Sequence, residues 1–154
     1  MANNPVQWSA LGSLVEACPS ASGMRNLGAG NHAVGLEING TSGSQYAYFV
    51  LYARGADVFH DGDRLAVWFL KAADGSSYED GAAGTPGTTP ARAPDLVFPL
   101  RLVSTQQRVT LGPALLPACK FKCLVQNKAN HALTDTADEN RLTYFPFNDN
   151  TVTP

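Results

Sequence analysis

"YAYFVLYA", Tyr46 to Ala53, decides the fold class. Read as an extended chain, it places Tyr46, Tyr48, Val50 and Tyr52 on one face and Ala47, Phe49, Leu51 and Ala53 on the other. Both faces are apolar, so the strand is either central in a covered sheet or lies at a subunit interface. The run is far shorter than the roughly 20 residues a membrane-spanning helix needs.

Working outward, "RLAVWFLK" (Arg64 to Lys71) repeats the pattern after the turn "HDGD". "AVGLEIN" (Ala33 to Asn39) alternates, with Val34, Leu36 and Ile38 expected on one face, and the following "NGTSGSQ" opens with an Asn-Gly turn signal. Further strands are expected in "DLVFPLRLV", "QRVTLG", "CKFKCLVQN" and "RLTYFPF". In "CKFKCLVQN" the inward set is Cys119, Phe121, Cys123 and Val125, with Lys120 and Lys122 directed to solvent. "VQWSALGSLVEA" (Val6 to Ala17) fits either a short helix or an extended arm, because Gly12 weakens its helical rhythm.

Short alternating segments with frequent turn signals point to an all-β protein, an antiparallel β-sandwich of jelly-roll type with about eight short strands. The expected layout is an N-terminal arm or short strand/helix segment over 1–26, a sandwich over 27–148 and a C-terminal tail over 149–154. "GAAGTPGTTPARAP" (Gly81 to Pro94) lacks periodicity and apolar mass and reads as a long exposed loop.

Composition narrows the function. The 154 residues are 44% hydrophobic and only 16% charged, with a formal net charge of -2 and no basic cluster. A phosphate-binding face needs clustered Lys and Arg, so nucleic acid is not an expected ligand, nor is a membrane. "MANNPVQW" lacks a basic segment followed by an apolar one, which sets the expectation of a soluble protein made in a cytoplasm. Cys18, Cys119 and Cys123 are odd in number, and Cys119 and Cys123 on one strand would stand roughly 13 Å apart. Free thiols in a reducing compartment are expected.

Chemistry-bearing motifs are sparse. "DVFHDGD" could offer a cation Asp57, His60, Asp61 and Asp63, but Asp61-Gly62 between apolar runs is the usual tight turn, and a calcium loop needs more carboxylates in register. "DGSSYED" likewise reads as a hairpin tip, with Tyr78 resuming the strand and Glu79 and Asp80 facing solvent. His32, His60 and His131 are expected in turns, well separated along the chain. No catalytic residue, metal or cofactor is assigned, and the chain is expected not to be an enzyme.

Four stretches, two of them foremost, carry a resemblance. "FLKAADGSSYED", an apolar strand leading into a "DG-[ST]-x-Y-x-D" turn, and "CKFKCLVQNKANHAL", together with "RLVSTQQRVTLGPALLP" and "NRLTYFPFND", resemble a group of small tailed-bacteriophage virion proteins over roughly Leu27 to Asn148. The resemblance implies a jelly-roll head decoration (cement) protein, located in the virion and assembled in the bacterial host cytoplasm. Its implied partner is the major capsid protein, and it would act as a homotrimer. A tail, collar or fibre-base protein is the nearest alternative. The expected contact residues are Asn4, Pro5, Trp8, Tyr46, Tyr48 and Arg92. A carbohydrate-binding module is a further alternative, needing an exposed aromatic platform from Trp8, Tyr78 or Tyr144.

Overall fold

The alternation read from the sequence is realised as strands throughout. The computed structural model describes residues 6–8, 10–40, 43–80 and 88–151, with side chains for 10–21, 23–40, 43–80 and 88–148. In chain order the strands are β1 Val6–Trp8, β2 Val15–Cys18, β3 His32–Asn39, β4 Tyr46–Ala53, β5 Arg64–Ala72, β6 Leu96–Pro99, β7 Gln107–Leu115, β8 Lys120–Asn127, β9 Arg141–Phe147 and β10 Asp149–Thr151. Among the described residues the helical element is a single 3-10 turn, Ser20–Ser22, and no helix is long and apolar enough to cross a membrane.

Eight strands form two four-stranded antiparallel sheets, β2-β9-β4-β7 and β3-β8-β5-β6, and β1 pairs separately with β10. The pairing is nested: β2 with β9, β3 with β8, β4 with β7 and β5 with β6. "VQWSALGSLVEA" takes the extended alternative, and its β2, Val15–Cys18, pairs with β9 in the first sheet. At the other end β10 continues strand pairing to Thr151.

Both strands that read as apolar on two faces are central. β4 lies between β9 and β7, and β5 between β8 and β6. Their inward residues, Ala47, Phe49, Leu51 and Ala53 against Leu65, Val67 and Phe69, form the core with Phe121, Cys123, Val125, Leu142 and Tyr144. The Phe69 ring sits 5.2 Å from Phe49 and 5.4 Å from Phe121, so three rings bridge the sheets. Each fully buried side chain of this size contributes roughly 1.5–3 kcal/mol of transfer free energy. Burial of Cys18 and Cys123 matches the expected free thiols, and Cys119 is free and half-buried.

The face assignment of "AVGLEIN" is corrected. A register shift between Val34 and Glu37 in the β3–β8 pairing breaks the period of two. Val34 packs against the outer cluster and Ile38 enters the core, while Leu36 is left exposed. Gly35 lies at the shift because β2 passes so close there that a Cβ would stand 2.0 Å from the Ala17 carbonyl oxygen.

Candidate functional site

Among the described residues, three of the polar clusters involve stretches singled out in the sequence. The first joins the two stretches singled out by their sequence pattern. Asp74 Oδ1 accepts from the backbone N–H groups of Ser76 (2.9 Å) and Ser77 (2.7 Å), closing the turn after β5, and these bonds hold its carboxyl well below the usual carboxylate range. The chain turns back against the end of β5, where Glu79 N–H donates to the Lys71 carbonyl at 3.2 Å, but Tyr78 does not resume a strand; β6 pairs with β5 only from Arg64 to Val67.

Tyr78 instead lies outside the strands. Its hydroxyl donates to Glu37 Oε2 on β3, and Lys122 of β8 places its Nζ 4.5 Å from the ring centroid. Lys120 Nζ meets the other Glu37 oxygen at 2.9 Å. Lys120 and Lys122 are therefore half-buried and engaged rather than free in solvent. The hydrogen bond from Tyr78, followed by that from Lys120, lowers the Glu37 pKa, and the same bond to Glu37 pushes Tyr78 up to about 12.

The second place is a latch over the outer face of β5. Trp68, Ala66, Leu70 and Leu124 form a small apolar cluster there, closed by the segment that follows residue 88. Trp68 Nε1–H donates to the Arg92 carbonyl at 3.0 Å. The Arg92 guanidinium donates to Asp95 (2.7 Å), Glu79 (3.0 Å) and the Phe69 carbonyl (2.9 Å). Glu79 is thus half-buried in an ion pair, not solvent-facing, and the later half of the expected exposed loop, 88–94, is tied down, with Pro90 buried.

The third place was not assembled by sequence reading. His60 and Asp63 flank the Asp61-Gly62 turn between β4 and β5, and His131 comes from the β8–β9 connection. Asp63 is 7% exposed, and its carboxylate accepts from the N–H of His60 (2.8 Å) and of Asn130 (3.3 Å). The Asn130 carboxamide bridges the two imidazoles, Nδ2 at 2.5 Å from His60 Nδ1 and Oδ1 at 2.7 Å from His131 Nδ1. Buried Asn127 holds this connection by donating to the Leu27 and His131 carbonyls and accepting from Ala129 N–H. The signal available in sequence was "QNKANH", whose His131 was expected in a turn. His32, expected in a turn, instead opens β3.

The expected contact residues are scattered. Asn4 and Pro5 lie outside the described residues. Trp8 is in β1 with its backbone opposite Asp149, and its side chain lies outside the described set. Tyr46 and Tyr48 sit together on the outer face of β4, stacked on Phe147 at 5.7 and 5.2 Å. Arg92 is on the outer face of the other sheet, already engaged within the chain. Tyr144 cannot serve as a sugar platform, because it is a core residue against Phe49, and burial raises its pKa. Burial likewise pushes the Cys18 thiol up to about 12 and raises Cys123, removing thiolate chemistry from the core at neutral pH. No protein-family model, curated protein or solved structure matches this chain.

Proposed function

We propose that this chain is a structural protein of a tailed-phage particle, a head decoration protein that braces major capsid subunits as a homotrimer. The observation that carries the reading is the contact between the two resembling stretches. Tyr78 of "DGSSYED" and Lys120 and Lys122 of "KFK" converge on Glu37, so the sequence pattern that suggests the family is one physical unit and not two coincident turns. We read the nested strand pairing as jelly-roll winding, which agrees with such a protein.

The surface supports an assembly role. Leu102 and Leu115 are 62% and 69% exposed, and Leu11 and Leu14 also face solvent. Apolar side chains on a sparsely charged chain suit a protein with further surface to cover in an assembly. A trimer engaging several lattice positions would gain affinity through avidity.

The test is a cryo-electron reconstruction of expanded capsids, stripped of accessory proteins and mixed with the purified chain, alongside sedimentation of the chain alone. Trimeric knobs at capsid three-fold positions and a sedimenting trimer are expected. Density confined to the tail or portal would replace the decoration role with a tail role. Absence of binding to any particle would overturn the virion reading.

A further inference from the structure

We propose that His60, Asp63 and His131 form a binding site for a divalent transition-metal ion of the zinc class, which staples the β4–β5 connection to the β8–β9 connection. Each of the three residues offers one donor atom, and these atoms lie within 4.8 Å of one another. Two imidazoles and one carboxylate are a donor set that suits zinc, copper or nickel, whereas calcium and magnesium require more oxygens.

The surroundings resemble the support that metal ligands use. Asp63 is almost fully buried, and two backbone N–H groups fix its carboxylate. A ligating imidazole commonly gives its other N–H to a protein oxygen. His131 presents both halves of that arrangement: Nδ1 lies 2.7 Å from Asn130 Oδ1, an atom that only accepts, so Nδ1 carries the hydrogen and Nε2 keeps its lone pair. That Nε2 is buried and has no hydrogen-bond partner. The protein alone leaves this imidazole incompletely satisfied, which is uncommon for a buried polar atom.

Space around the ring is kept by Gly55, where a Cβ would stand 2.4 Å from His131 Nε2. Donors around a tetrahedral zinc stand about 3.4 Å apart, given bond lengths of about 2.0–2.2 Å. The cluster must therefore close by roughly an ångström when the ion enters. His60 can supply that movement, since its side chain is 63% exposed and its Nδ1 is 3.9 Å from Asp63 Oδ2. The Asn130 carboxamide spaces the two rings, and a bound ion would compete with that bridge.

The site lies where the chain crosses between sheets. The β4–β5 connection leaves the first sheet for the second, and the β8–β9 connection returns. A metal there would tie the two sheets at one end of the sandwich independently of the core.

The experiment uses the full chain without an affinity tag. Titration with Co2+ should give the intense visible bands of a tetrahedral ion. Zinc at a hundredfold excess over its Kd should raise Tm by about 5–10 °C. His60→Ala, at an exposed position, should fold normally and lose both effects. Absence of the cobalt bands and of any zinc-dependent Tm shift would overturn the site. Bands that persist unchanged in His60→Ala would place the ion elsewhere, for instance on the thiols, and would equally overturn it.

Discussion

The outer faces of the two sheets are built from strands that read alike, yet they are finished differently. On the β5 side, Ala66, Trp68 and Leu70 are covered by the segment after residue 88, latched by Arg92, and are buried as deeply as the core. On the β4 side, Tyr46, Tyr48 and Tyr52 stay half-exposed. Phe147 stacks on the first two, while Arg108 and Arg141 stand 5.8 and 4.3 Å over the Tyr52 ring. An apolar second face therefore has two outcomes: a loop of the same chain covers it, or amphipathic side chains finish it and leave it available. Among the described residues the β5 face is a closed structural layer, whereas the β4 face keeps its tyrosines half-exposed.

The largest break in this comparison is expected from Trp68→Ala. It deletes a ring that is 3% exposed, opens a cavity in the outer cluster and leaves the Arg92 carbonyl without its donor. A loss of about 3–5 kcal/mol in urea unfolding is expected, as for other large-to-Ala core changes. If Trp68→Ala cost no more than an exposed aromatic substitution, the β5 face would not be a second core.

Arg92→Ala probes the latch without touching the cluster. The guanidinium satisfies the Phe69 carbonyl and the two carboxylates of Glu79 and Asp95, whose side chains are partly exposed. The expected cost is about 1–3 kcal/mol, the range for leaving a hydrogen-bonding group without its partner. Arg92→Lys should recover only part of it, since one ammonium cannot match the planar fork. Limited proteolysis should also cut near residues 88–94 faster in the Ala variant. Unchanged stability together with unchanged cleavage would show that the segment stays in place without Arg92.

On the open face, Tyr48→Ala should cost about 1 kcal/mol, the scale of one stacked aromatic pair with modest burial. If the face is an assembly surface, the same change should weaken particle binding or trimer formation by far more than it weakens folding. A stability loss as large as that of Trp68→Ala would erase the distinction between the faces.

Strand positions were legible because the period-two pattern and the turn dipeptides are local signals. "YAYFVLYA" and "RLAVWFLK" announce central strands by being apolar on both sides. The cover of the second face was not legible, because it depends on which loop the winding lays across it. "AVGLEIN" misled through one register shift, after which every side chain changes face. The His60–Asp63–His131 cluster was half visible: the turn carrying His60 and Asp63 drew notice as a metal candidate. Its partner lies 71 positions beyond His60 by residue number, and only the pairing of β5 with β8 brings the two connections together. Tyr78 does not resume a strand: its hydroxyl is bound to Glu37 of β3, two strands away in the sheet, a contact that local sequence does not announce.

The smallest effect concerns the Tyr78–Glu37 contact, which ties the turn after β5 to β3 across the outer face of the second sheet. Glu37 has a lowered pKa, so its contribution is present above the unfolded carboxyl pKa of about 4.3 and is lost as pH falls through the folded value. Tyr78 has a raised pKa of about 12, so its contribution is present below the ordinary tyrosine value near 10 and is lost as pH rises through the folded one. Tyr78→Phe keeps the ring under Lys122 and removes the hydroxyl alone. The urea midpoint of Tyr78→Phe should lie slightly below that of the unaltered chain by a constant amount from about pH 5 to 9. The gap should narrow toward both extremes. A gap that persists undiminished at pH 3 would mean that the hydroxyl stabilises the fold through something other than the Glu37 carboxylate. The contact would then be a packing feature of the covered face, not an electrostatic tie across it.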